Sequence, residues 1–191
     1  MVLAVTHVLV PIIVFELLRD RFKGMRKMFS SKHTFLVGMA GLMPDMDMPV
    51  FTVLQRLGLV TETAIGHRIF LHNVWIPLGF LLFAAASAFV WPALRGRKNR
   101  KYKQGRSMAF AKIFLLLAVG WMFHLTLDAV LTGEVMPFYP LSSYLVDWNL
   151  TGKLANATGI AQLTILVSMD AILLLGWLWH EQFTHRIRDY F

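Results

Sequence analysis

The sequence predicts an all-α integral membrane protein: a helical bundle of about four spans with one broken, re-entrant helix that carries a Pro-Asp-x-Asp loop. Of the 191 residues, 57% are hydrophobic and only 16% are charged, whereas soluble domains have about 45–50% and about 25%. Long uncharged stretches recur, and clusters of basic residues directly follow two of them. The length fits one membrane-embedded domain, which we assign to residues 1–191.

The basic residues indicate which side of the membrane each segment faces. The chain has 19 Lys and Arg against 11 Asp and Glu, and segments 19–32 and 95–106 together hold 13 of those 19 cations. Such clusters mark the cytoplasmic side of a multi-pass protein of the inner (plasma) membrane. The aromatic residues lie within the apolar stretches rather than among the cations. We therefore expect the lipid bilayer as partner and no nucleic acid.

Four apolar segments are the predicted spans: 2–15, 72–94, about 109–131 and about 158–179. Segment 72–94 has 23 residues without Asp, Glu, Lys or Arg, which at about 1.5 Å per residue is enough to cross about 30 Å of hydrocarbon. With both basic clusters inside, the chain enters from an outer N-terminus and segment 132–157 is external.

Segment 33–60 is the predicted broken helix. Pro44 and Pro49 enclose Asp45 and Asp47, and prolines together with carboxylates interrupt a helix at membrane depth. Irregular backbone at that depth is tolerated only inside protein or beside a wet cavity. We predict a helix over about 33–43, a loop with both aspartates, and a short helix over about 49–58.

Polar residues in or beside the apolar sequence converge on the outer side in this topology. His124 and Asp128 are spaced i, i+4 and share one helix face. Imidazoles and carboxylates without any cysteine suit a divalent metal, foremost zinc, with manganese or iron as alternatives and one or two ions. The predicted metal ligands are His7, Asp45, Asp47, His67, His72, His124 and Asp128.

Metal-assisted hydrolysis is the chemistry that this ligand set predicts. Asp47 is the candidate general base or bridging ligand, and Arg68 is the candidate clamp for a substrate phosphate or carboxylate. The site faces the non-cytoplasmic side, where a lipid-like substrate or small phosphoester can arrive by lateral diffusion.

Several short motifs resemble those of the YdjM-like inner-membrane metal-dependent hydrolases. The motifs are Thr6-His7, Gly41 to Asp47, His67-Arg68 with His72, His124 to Asp128, and Tyr139 to Ser142. The resemblance covers about 6–142 and implies that the seven predicted ligands are the family's metal and active-site positions. The family's more distant similarity to zinc-dependent phospholipase C implies a phosphodiester or lipid-like substrate. Leu71 and Asn73 depart from the small hydroxyl residues that the family more often has beside His72.

Two other classes of function remain open at this level. A bis-histidine haem protein would use His7, His72 or His124 on facing helices, but it has no use for the three aspartates. A small ion- or proton-coupled transporter or membrane scaffold would use the same residues as a relay and would form an oligomer. Asp170, which lies within the last span, is expected to pair with a polar residue of another span.

Overall fold

The computed structural model describes residues 3–59, 71–90 and 100–184, and most of these residues are helical, with segment 133–149 the longest non-helical stretch among them. The helices are α1 (Ala4–Arg21), α2 (Lys23–Met28), α3 (Ser31–Leu42), a 3₁₀ turn (Met43–Met46), α4 (Asp47–Arg56), α5 (Trp75–Ala85) with a π-helical turn (Ala86–Val90), α6 (Arg100–Leu127) with a second π-helical turn (Asp128–Thr132), α7 (Leu150–Thr158) and α8 (Gln162–Thr184). Within the described ranges no β-strand occurs, only an isolated bridge between Val135 and Val146. The all-α prediction is confirmed.

Two of the described helices, Ser107–Thr132 and Gln162–Phe183, are long and apolar enough to cross a membrane. The core helix of a soluble protein would be mostly buried. In Gln162–Phe183, only 11% of the apolar 18-residue stretch is buried. Its exposed side chains include Ile172 and Leu175. Such a continuous apolar surface fits contact with lipid. The helix Trp75–Val90 is apolar but shorter, so the count of four spans stays a prediction.

Helices α1, α3 and α6 approach one another closely through small residues. A Cβ atom on Gly41 would overlap the carbonyl oxygen of His7 in α1, and one on Gly120 would overlap the carbonyl oxygen of Val37 in α3. Small residues at such positions allow the backbones of membrane helices to meet. Thr34 of α3 also contacts Arg19 of α1, and Gly41 of α3 also contacts His124 of α6, so α3 runs antiparallel to α1 and parallel to α6.

The remaining long helices pack on the outside of this trio. The Trp121 indole nitrogen of α6 donates to the carbonyl of Leu71, and the Ser107 hydroxyl donates to that of Ser87, so α5 is antiparallel to α6. The Thr6 hydroxyl of α1 donates to the carboxylate of Asp170 in α8. The relative directions of these helices agree with the predicted order of inward and outward segments. Which side of the membrane each helix end faces stays a prediction.

The broken helix has a different form from the predicted loop. A 3₁₀ turn follows α3 directly, and α4 begins at Asp47 rather than near residue 49. Pro49 is the third residue of α4, where its missing N–H group costs nothing because the first four N–H groups of a helix have no partner within it. With 12 residues, α3 is about 18 Å long, too short to cross a bilayer of about 30 Å alone.

Candidate metal centre

Five of the seven predicted ligands meet at one point inside the protein. His7 comes from α1, Asp45 from the 3₁₀ turn, His72 from the segment before α5, and His124 and Asp128 from the end of α6. The three histidines and Asp128 are fully buried, whereas the Asp45 side chain is 11% exposed. Asp45 therefore marks the side on which the cluster is closest to the surface.

The distances between ligand atoms are short and similar. His7 Nε2 lies 3.4 Å from Asp128 Oδ1, and His72 Nε2 lies 3.4 Å from Asp45 Oδ1. Asp128 Oδ2 lies 3.6 Å from His72 Nε2 and 3.7 Å from His124 Nε2. His124 Nε2 is also 3.6 Å from Asp45 Oδ1 and 3.0 Å from His72 Nε2. The two oxygens of Asp128 thus face different members of the cluster.

These separations fit the coordination sphere of a metal ion. Ligand atoms about 2.0–2.1 Å from zinc at the corners of a tetrahedron are about 3.3 Å apart. In two groups of three residues the ligand atoms all lie within 4.8 Å of one another, one formed by His7, His124 and Asp128 and the other by Asp45, His72 and His124. Because both groups contain His124, the cluster can hold one ion or a pair that shares ligands.

A hydrogen bond fixes the orientation of the His124 ring. His124 Nδ1 lies 2.7 Å from the carbonyl oxygen of Gly41. A carbonyl can only accept, so Nδ1 carries the proton and the lone pair of neutral His124 is on Nε2, which faces the cluster. This outer partner is the usual arrangement for a histidine that ligates a metal.

Several buried polar atoms of the cluster lack the hydrogen bonds that burial normally requires. Both ring nitrogens of His7 and Asp45 Oδ1 make no hydrogen bond to the described part of the chain. Each such atom costs about 1–3 kcal/mol when it is left unsatisfied. A cation at the centre of the cluster would satisfy His7 Nε2 and Asp45 Oδ1 together.

Local backbone features place the two ligands of α6 and the ligand of α1. The π-helical turn begins at Asp128, whose carbonyl accepts from the backbone N–H of Gly133 at 2.8 Å. Such wide turns often occur at functional sites. In α1, Pro11 has no N–H to give to the carbonyl of His7, and Gly41 packs against that carbonyl.

Three predicted site residues are not placed by the structure. His67 and Arg68 lie outside the described residues, and so does the side chain of Asp47, although Asp47 itself begins α4 two residues after Asp45. Their assignment as ligand, substrate clamp and general base stays a prediction.

The geometry disfavours the haem alternative. The rings of His7 and His124 stack with their centroids 3.9 Å apart, and the Nε2 atoms of His72 and His124 are 3.0 Å apart. A porphyrin needs room for its plane between two axial nitrogens, and neither pair provides it.

The roles of Gly41 and Gly120 in holding the cluster together were not predicted from the sequence. Gly41 supplies the acceptor for His124, and Gly120 lets α3 approach α6 closely enough for that hydrogen bond. The available signal was the spacing of small residues in Gly38-x-x-Gly41. The expected polar partner of Asp170 is Thr6, the residue next to His7.

The family pattern of the YdjM inner membrane protein matches residues 1–187. The chain belongs to the YdjM family. Membership agrees with the apolar helices and assigns the protein to the inner membrane, where the bilayer surrounds it. No curated protein and no solved structure shows significant similarity to this YdjM protein.

Proposed function

We propose that this YdjM protein is a metal-dependent hydrolase of the inner membrane that acts on a lipid-like or phosphoester substrate. The observation that carries the proposal is the buried cluster of three imidazoles and two carboxylates, whose ligand atoms lie 3.0–3.7 Å apart. When bound there, a divalent ion, zinc in our proposal, supplies a Lewis acid that polarises the phosphoryl oxygen and activates water.

The chain's own residues have distinct roles in this proposal. His124 is held in one tautomer by Gly41, so its Nε2 stays available as a ligand. Asp47 is the proposed base, because it follows Asp45 by two residues at the start of α4. The oxygen of water bonds to phosphorus, the bond from phosphorus to the leaving oxygen breaks, and Asp47 passes the water proton to that oxygen. Arg68 is the proposed clamp for the phosphate.

The surface around Asp45 favours a substrate with an apolar part. Met43, Met46 and Met48 flank Asp45 in the chain and are 40%, 59% and 37% exposed. Val53 and Leu57 continue this apolar surface along and just beyond α4. Adaptable methionine side chains beside the most accessible ligand suit an acyl chain, while the cluster holds the polar head.

Hydrolysis by protein purified in nanodiscs and loaded with Zn²⁺ or Mn²⁺ tests the proposal. The substrates are bis(p-nitrophenyl) phosphate and phospholipid vesicles, with release of p-nitrophenol or of a phosphorylated head group as the readout. We expect activity that a chelator removes and the metal restores. Loss of an outer-shell partner of a metal ligand costs roughly 10–100-fold in activity. We expect Asp128→Asn to lower the rate of hydrolysis by more than this, because Asp128 faces all three imidazoles.

The matched control is Asp20→Asn, which makes the same chemical change at an exposed residue of α1 and should leave the rate unchanged. If the metal-loaded protein hydrolyses none of these substrates, the proposed hydrolase activity is refuted, whereas the proposed metal centre is not. That result would favour the ion-handling alternative. Activity that survives in fully folded, metal-free protein would refute the role of the metal.

A further inference from the structure

A second cluster of ligand-type residues lies at the other end of the interface between α1 and α8. Glu16 of α1 and Glu181 of α8 are 6% and 3% exposed, and His180 of α8 is partly exposed. One ligand atom from each of the three lies within 4.8 Å of the others. Glu16 follows His7 by nine residues, so this cluster is about 14 Å along α1 from the candidate metal centre.

We propose that Glu16, His180 and Glu181 bind a second divalent cation, separate from the central cluster and independent of the proposed hydrolysis. Two buried carboxylates at this distance repel each other when both are ionised, so the pair must either share a proton or hold positive charge between them. Arg19, which follows Glu16 by three residues on α1, donates from Nη1 to Ser31 at 3.1 Å and to Thr34 at 3.2 Å.

One carboxylate oxygen of this cluster lacks a hydrogen bond. Glu16 Oε2 is buried and makes no hydrogen bond to the described residues, although the Glu16 side chain comes within reach of both partners in α8. His180 Nδ1 lies 4.0 Å from Glu181 Oε1, and its partly exposed ring can rotate toward an ion. Glu16 Oε2 is thus a ligand atom without its cation.

The donor set indicates which ion is bound. Two carboxylates and one imidazole form a harder set than the histidine-rich central cluster, and hard oxygen donors suit Mn²⁺ better than Zn²⁺. The ion would join α1 to α8 at this end, as the hydrogen bond from Thr6 to Asp170 joins them near His7. Its role would be structural, as a link between α1 and α8.

Counting bound Mn²⁺ by elemental analysis after dialysis tests this site in the full-length protein in nanodiscs. We expect Glu16→Gln to lose one Mn²⁺ relative to wild type, and Asp20→Asn, the matched exposed carboxylate one turn further along α1, to lose none. Asp45→Ala should affect only the central ions. The Mn²⁺ counts of the two variants therefore test the second site and the central site separately.

An unchanged Mn²⁺ count in folded Glu16→Gln would overturn the proposal and would show that the two carboxylates share a proton instead. The partly exposed His180 offers a second variant if Glu16→Gln does not fold. His180→Ala should release the same Mn²⁺ at a lower chelator concentration than wild type, with its helical circular dichroism unchanged. Release at the wild-type chelator concentration would equally overturn the site.

Discussion

Adding one methyl group at Gly120 should damage the metal centre without touching any ligand. A Cβ atom there would overlap the carbonyl oxygen of Val37 and the side chain of Ala40, so α3 must move away from α6. Overpacking of this kind costs about 1–3 kcal/mol. The movement also lengthens the hydrogen bond of 2.7 Å from His124 Nδ1 to the carbonyl of Gly41. Loss of an outer-shell partner costs about 10–100-fold in metal affinity, which we expect for Gly120→Ala.

Thermal unfolding and chelator competition for Zn²⁺ in nanodiscs measure the two effects. In a protein of this size, each kcal/mol shifts the midpoint of unfolding by about 2–4 °C, so Gly120→Ala should lower it by about 2–12 °C. Gly105→Ala is the matched control on the same helix, because nothing lies within 4 Å of its added Cβ. That control should keep wild-type affinity. Wild-type affinity in Gly120→Ala would refute the close approach of α3 and α6 as the support of the site.

Three further predictions follow from the same contacts. Thr6→Val removes the donor to buried Asp170 and should cost about 1–3 kcal/mol in thermal unfolding, whereas Thr6→Ser should restore most of the loss; equal midpoints for both variants would contradict this. Trp121→Phe removes the hydrogen bond of 2.9 Å to the carbonyl of Leu71 next to His72, and should cost about 1 kcal/mol of stability in a denaturant series. Removing the metal with a chelator should destabilise the protein by about 2.7 kcal/mol relative to protein with free metal at 100 times its dissociation constant, and an unchanged midpoint would argue against bound metal.

The helical class and the pairing of His124 with Asp128 could be predicted because both rest on local patterns. The i, i+4 spacing of His124 and Asp128 fixes one helix face whatever surrounds it, and the structure has their ligand atoms 3.7 Å apart. The relative directions of the helices agree with the order that charge counting predicts, and which helix ends face the cytoplasm stays a prediction.

Other features depend on contacts between distant segments and therefore could not be predicted. The break near Asp45 is a 3₁₀ turn followed at once by α4, because Pro49 is compatible with the first turn of a helix and does not delay its start. Glu16 and Glu181 are separated by most of the chain, and no local pattern marks either as buried. Only the packing of α1 against α8 brings them together.

The metal content of the central cluster tests the account most directly. Protein with Glu16→Gln, which lacks the proposed second site, should be compared by elemental analysis with the double variant Glu16→Gln/Asp45→Ala. Asp45 is the most exposed ligand placed by the structure, so its removal should leave the fold intact. We predict that the single variant retains one or two divalent ions through dialysis against metal-free buffer and that the double variant loses them. Equal metal content in the two proteins, or none in either, would contradict the metal centre.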